Sequence, residues 1–189
     1  MLRIVLLCLS LILPACVMAG ETAPTNPRLV IKTSEGDITV QLFADKAPIT
    51  VANFLSYVDS GFYNGTIFHR VIPNFMIQGG GFGTDMKEKA SGEPIVNESE
   101  NRLQNTRGTL AMARTSDPDS ATSQFYINQR TNLQLDWTQQ HEGYAVFGEV
   151  IQGMDIVDFI ATAPTGNAGG MGDVPQQAIV IKDILRQQP

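Results

Sequence analysis

Phe68-His69-Arg70-Val71-Ile72-Pro73-Asn74-Phe75-Met76-Ile77-Gln78-Gly79-Gly80 is the stretch that decides how this chain reads. It sets one fixed cation, Arg70, a few residues ahead of a bulky apolar pair, Phe75 and Met76, and an amide, Gln78. An ordinary core strand is either continuously apolar or alternates cleanly with period two. This one mixes the residues of a core with the residues of a site.

Upstream, Asn64-Gly65 is a strong tight-turn signal. Before it, Pro48 opens a helix, where its fixed φ and missing N–H do no harm. Val51, Phe54, Leu55 and Val58 follow at helical spacing as one apolar stripe, and Gly61 ends the helix. Further upstream, Leu29–Thr33 and the alternating Asp37–Leu42 read as a hairpin around Glu35-Gly36. Downstream the chain is mostly β. The expected strands are Thr66–Ile72, Phe75–Gly79, Pro94–Asn97, Gly108–Ala113, Ser123–Asn128, Ala145–Val150 and Gln177–Ile184. A short helix is expected over Met154–Ile160, and a Gly-rich loop over Pro164–Pro175. Many short strands with two helices point to a closed barrel or a sandwich.

The N-terminus reads as a leader. Arg3 precedes the apolar run Ile4 to Leu13, which is too short to span a membrane as a helix and is read as a signal peptide over 1–19. Val17-Met18-Ala19 has the small-residue spacing for cleavage before Gly20. Leu13-Pro14-Ala15-Cys16 supports a second processing mode, lipidation at Cys16, which would tie the protein to a membrane surface. Residues 20–27 form a short tether, and 28–189 a single domain. Both cysteines, Cys8 and Cys16, fall in the leader. The domain therefore has no disulfide, no thiolate metal site and no cysteine nucleophile.

Without its leader the chain is long enough to bury roughly 70% of the surface it exposes when unfolded. The full chain, with 19 acidic against 13 basic residues, carries a formal charge of −6, which argues against nucleic acid as a partner.

Several chemistries drop out. His69 and His141 lack the spacing and the neighbouring carboxylates of a zinc site. Gly79 to Gly83 has no following Lys-Ser/Thr and opens no helix, so a bulged turn replaces a phosphate loop. Asp117-Pro118-Asp119-Ser120 lacks the distal glutamate of a calcium loop and reads as an exposed turn. Neither a metal nor a cofactor is expected.

Three further blocks accompany the opening stretch: Gly108 to Thr115, Ser120 to Asn128, and Asn132 to Asp136 followed by Tyr144-Ala145-Val146-Phe147-Gly148. In order and spacing they resemble the cyclophilins, the peptidyl-prolyl cis-trans isomerases, in their bacterial exported form. The resemblance runs from about Leu29 to Leu185. It implies an eight-stranded antiparallel barrel capped by two helices. It also implies Arg70 as the catalytic cation, with Gln78 orienting it and the substrate carbonyl. Phe75, Met76, Tyr126 and Leu135 would line a proline pocket, with Tyr144 beside them, and the backbone of Ala113 and Arg114 would pair with the residues before proline. The partners would be proline-containing unfolded or flexible chains, the protein a monomer, and its place the periplasm, or the membrane surface if lipidated at Cys16.

The chain departs from the best-known eukaryotic members. Arg114 stands where they have Asn, Tyr126 for Phe, Gln134 for Trp and Tyr144 for His. The loss of Trp implies weak cyclosporin binding.

The chemistry fits the residues. Rotation about X–Pro faces a barrier of about 18–20 kcal/mol, because the amide loses resonance. In the twisted state the nitrogen gains a lone pair, and a fixed donor aimed at it stabilises that state more than the planar one. Taking about 0.01 per second to about 1000 per second needs roughly 7 kcal/mol. A rival expectation is a barrel that binds proline segments as a chaperone or adaptor with little turnover. Taken alone, each of Phe75, Met76 and Leu135 would suit a barrel core better than a site.

Overall fold

The computed structural model describes residues 26–187. The expected leader, 1–19, and residues 20–25 of the expected tether lie outside the described residues.

Ten strands and two helices follow in chain order. They are β1 (Arg28–Thr33), β2 (Asp37–Leu42), α1 (Pro48–Asp59), β3 (Thr66–Ile72), β4 (Met76–Gly83), β5 (Thr109–Met112), β6 (Phe125–Asn128), β7 (Val146–Gln152), α2 (Met154–Ala161), β8 (Thr165–Ala168), β9 (Met171–Pro175) and β10 (Val180–Arg186). Eight strands close a barrel in the order β1-β10-β3-β4-β6-β5-β7-β2, every pairing antiparallel, and β8-β9 form a separate hairpin. The closed barrel is the one of the two expected architectures that leaves no open edge.

The barrel wall has two faces with different contents. Inside, Val71, Ile77, Ile127 and Leu110 stand in one cross-strand row, all fully buried. They join Phe54 of α1, Phe68, Phe125 and Phe147 in the main core, where Phe54 contacts Phe125 edge-on at 5.4 Å. Helix α1 begins on Pro48 without a side-chain cap of its own. The Glu98 carboxylate does the work instead, accepting from the Ile49 and Thr50 amides at 3.1 and 2.7 Å.

A bulge decides what β3 shows to solvent. Phe68 and Arg70 are two apart and would share a face in a regular strand. The ladder pairs Phe68 with Gly79 but Arg70 with Gln78, so His69 is an extra residue. Phe68 is consequently buried in the core while Arg70 emerges on the outside. Re-aiming a side chain is what such a bulge does. Across from it, Gly80 has φ +85, and a Cβ there would sit 2.9 Å from both the Phe125 and Tyr63 rings.

Three expectations need correction. Pro94–Asn97 is not a strand: Ile95 makes one isolated bridge to Ala121. Pro164–Pro175 is not a loop but the β8-β9 hairpin, turning at Gly169-Gly170, both with positive φ. Gly79 to Gly83 is bulged, as expected, but it continues β4 and makes no turn.

Candidate functional site

The outer face of the same wall carries the second row. Arg70 on β3 faces Gln78 on β4, Gln78 faces Tyr126 on β6, Tyr126 faces Ala111 on β5, and Ala111 faces Val146 on β7. Met76, Ala111, Tyr126 and Val146 form a small apolar cluster apart from the main core, with Phe75, Ala113, Leu135 and Tyr144 packed against it. Phe75, Met76 and Leu135 therefore stand apart from the main core inside the barrel. They line a cavity of about 100 Å³ together with Tyr126, Ala113, Arg114 and Tyr144, and Arg70 and Gln78 complete its wall. All nine residues expected at the site converge on this one cavity.

Its floor is rigid because a polar network holds it from behind. The Tyr126 ring is buried, and its hydroxyl donates to Asn105 Oδ1 at 2.8 Å. Burial pushes the phenol well above its ordinary range, so it stays protonated and donating. Asn105 is fixed in turn by Asp136 Oδ1, which accepts from its backbone N–H at 2.7 Å and its side-chain amide at 3.0 Å. Asn128 donates to Asn105 Oδ1 at 3.1 Å, and Asn132 donates to Asn128 Oδ1 at 2.7 Å and to the Phe75 carbonyl at 3.0 Å. Leu135 sits at the end of the helical turn Leu133–Leu135, and its carbonyl accepts the Tyr144 amide at 3.0 Å. Two walls of the pocket are thus one hydrogen-bonded unit.

At the rim, Arg70 is exposed, and its Nη1 lies 3.4 Å from Gln78 Oε1. Gln78 Nε2 donates to Gln124 Oε1 at 3.1 Å. His69, next to Arg70, is buried behind the rim against Phe82, with Nδ1 lacking a partner. Desolvation lowers its pKa to about 4, and the charge of Arg70 adds to that. At neutral pH it is an uncharged strand residue. Arg114 lies over the Tyr144 ring, 4.4 Å from its centroid. The Ala113 amide is already taken by the Gln124 carbonyl at 3.0 Å, so a peptide pairing here would use the Ala113 carbonyl and the Arg114 backbone. A slot of this size, walled by Phe75, Met76, Tyr126 and Leu135 with Arg70 at its rim, can hold a small ring and present a charged donor at its edge. Among the described residues no group of three or more His, Cys, Asp or Glu could hold a metal ion.

Residues 28–185 match the model of the cyclophilin type peptidyl-prolyl cis-trans isomerase family. The chain is 56% identical over 168 residues to a peptidyl-prolyl cis-trans isomerase of Acinetobacter baylyi, covering 89% of each chain. It is 56% identical over 155 residues to peptidyl-prolyl cis-trans isomerase B of Escherichia coli, covering 80% of this chain and 94% of that one. The chain belongs to the cyclophilins. A solved Cryptosporidium parvum cyclophilin, crystallised in the presence of the dipeptide Ala-Pro, superposes with a TM-score of 0.75 at 31% identity, over 86% of this chain and 99% of that one.

As a cyclophilin the chain is an isomerase that speeds rotation about the bond before proline, a reaction that suits protein folding. The barrel and its two helices are those the resemblance implied. Sequence reasoning missed the residues that support the site: Asn105, Asp136 and the side chain of Gln124. Gln124 stood in view within Ser123-Gln124-Phe125, but nothing local says where an amide points.

Proposed function

We propose that Arg70 is the catalytic group, and that the cyclophilin fold here serves exported, proline-containing chains that are unfolded or flexible. The convergence of nine residues on one small cavity, with Arg70 at its edge, carries this reading. Phe75, Met76, Tyr126 and Leu135 grip the pyrrolidine ring, so that the ring stays and the acyl side turns. The guanidinium donates to the prolyl nitrogen as it becomes pyramidal, a bond that the planar ground state cannot accept. No covalent bond is made or broken, and no cofactor is called for. Gln78 orients the arginine and donates to the substrate carbonyl, while the backbone at Ala113 and Arg114 pairs with the residues before proline.

The leader sequence supports a periplasmic site of action, with the mature protein starting at Gly20, and lipidation at Cys16 as the alternative that would place it on a membrane surface. A monomer suffices, since one chain lines the whole pocket. Exchange NMR on a short X–Pro peptide tests the activity. Acceleration at substoichiometric protein is expected, whereas binding without acceleration would return the protein to the adaptor class. The intact mass of the exported protein tests the location: a Gly20 N-terminus supports release, an acylated Cys16 supports anchoring, and an uncleaved chain contradicts both.

A further inference from the structure

Behind the arginine runs a one-way chain of hydrogen bonds. Arg70 Nη1 approaches Gln78 Oε1 at 3.4 Å, Gln78 Nε2 donates to Gln124 Oε1 at 3.1 Å, and Gln124 Nε2 donates to Glu88 Oε1 at 3.1 Å. A guanidinium can only donate and a carboxylate can only accept. With a cation at one end and an anion at the other, both amides have a single consistent orientation: oxygen toward Arg70, nitrogen toward Glu88. The oriented dipoles reinforce one another.

The fold builds this chain deliberately. Beyond β4 the backbone doubles back, with the Gly83 amide bonded to the Lys87 carbonyl at 3.0 Å and the Lys89 amide to the Gly81 carbonyl at 2.8 Å. That return sets Glu88 opposite Phe82 at the strand edge. Gly81 leaves the space that Gln124 fills; a Cβ there would come within 2.5 Å of Gln124 Cγ.

We propose that Glu88 is a positioning residue for the isomerase reaction: acting through Gln124, its carboxylate fixes both glutamines, and through them Arg70 and the free amide hydrogen of Gln78. Gln78 is thereby committed to donating to the substrate carbonyl, since its own carbonyl is turned to the arginine. This inference rests on Arg70 acting as proposed above.

The test compares wild type, Gln124→Ala, Glu88→Gln, Glu88→Lys and Arg70→Ala on a minimal Ala-Pro peptide, with kcat and KM read separately and the Arg70 Nε–Hε resonance followed by NMR. A lysine at position 88 is donor-only and would turn both amides round. Gln124→Ala and Glu88→Lys are expected to lower kcat about tenfold with KM within about twofold, and to broaden or shift the Arg70 resonance. Glu88→Gln, which keeps an acceptor, is expected to stay within about threefold of wild type. If Gln124→Ala does not fold, Glu88→Lys at its exposed position carries the test alone. Unchanged kcat and an unchanged Arg70 resonance in both disrupting variants, with Arg70→Ala inactive, would overturn the positioning role. An active Arg70→Ala would instead overturn the role of the arginine itself.

Discussion

Arg114 is clamped over Tyr144. Its guanidinium carbon is 4.4 Å from the ring centroid, its Nε and Nη2 both donate to the Gly143 carbonyl at 3.0 and 2.8 Å, and its Nη1 donates to the Thr115 carbonyl at 2.9 Å. The side chain thus ties the segment after β5 to the segment before β7 and holds one wall of the proline pocket upright. Tyr144 in turn meets Tyr126 edge-on at 5.9 Å. Arg114→Ala is expected to raise KM for an X–Pro peptide about three- to tenfold, with a smaller change in kcat, because the contact shapes the slot and not the reacting nitrogen. Arg114→Lys should not restore it, since an ammonium cannot both stack and span two carbonyls. Line-shape NMR across a peptide titration separates the two constants.

The Tyr126 hydroxyl supports the floor and the ring does the gripping. Removing the hydroxyl leaves Asn105 Oδ1 with its second donor, Asn128 Nδ2, at 3.1 Å. Tyr126→Phe is expected to keep kcat/KM within about twofold and to lose about 1 kcal/mol of stability, read by urea unfolding. A large loss of turnover would assign the hydroxyl a part in the reaction.

His69 makes acid sensitivity legible. Its folded pKa is about 4 against an ordinary 6.5, so between those values the unfolded chain binds the extra proton. Above pH 6.5 the protonation of His69 makes no difference to stability. As pH falls through this window stability is lost, by up to about 3 kcal/mol, and below pH 4 the loss stops growing. Chemical denaturation from pH 7 to 3.5, with His69→Asn beside wild type, checks this: the variant's acid limb should be flatter by one proton.

Cyclosporin should bind weakly, because Gln134 occupies an exposed position on the turn where the best-known eukaryotic cyclophilins carry Trp. Gln134→Trp is expected to tighten binding at least tenfold through added apolar contact. Calorimetry on both proteins measures it, and tight binding by wild type would remove the weight placed on this residue.

What the sequence makes legible depends on range. Asp37–Leu42 alternates cleanly and forms β2 as expected, and Val51, Phe54 and Val58 face the core as the helical spacing implies. The β8-β9 hairpin stayed hidden because Thr165, Gly166 and Asn167 lack the apolar alternation of a strand. Pro94–Asn97 offered apolar residues but found no neighbouring strand beyond one bridge. The nine pocket residues were named through joint order along the chain. No periodicity could have named them, because Phe68 and Arg70 share parity and only the bulge at His69 separates their faces. Gln124 and Glu88 lie 36 residues apart, and their contact is a product of the folded barrel.

The central claim is that Arg70 acts on the twisted bond and contributes little to binding the planar one. Exchange NMR on an Ala-Pro peptide, with wild type and Arg70→Ala side by side and peptide affinity measured in the same samples, tests it most directly. Arg70 is exposed, so the variant should fold. The expected result is a fall in kcat of about 100- to 1000-fold, the range for loss of one charge-stabilising donor, with affinity within about threefold. Near-full turnover in Arg70→Ala would contradict the mechanism, and so would a loss that falls entirely on binding.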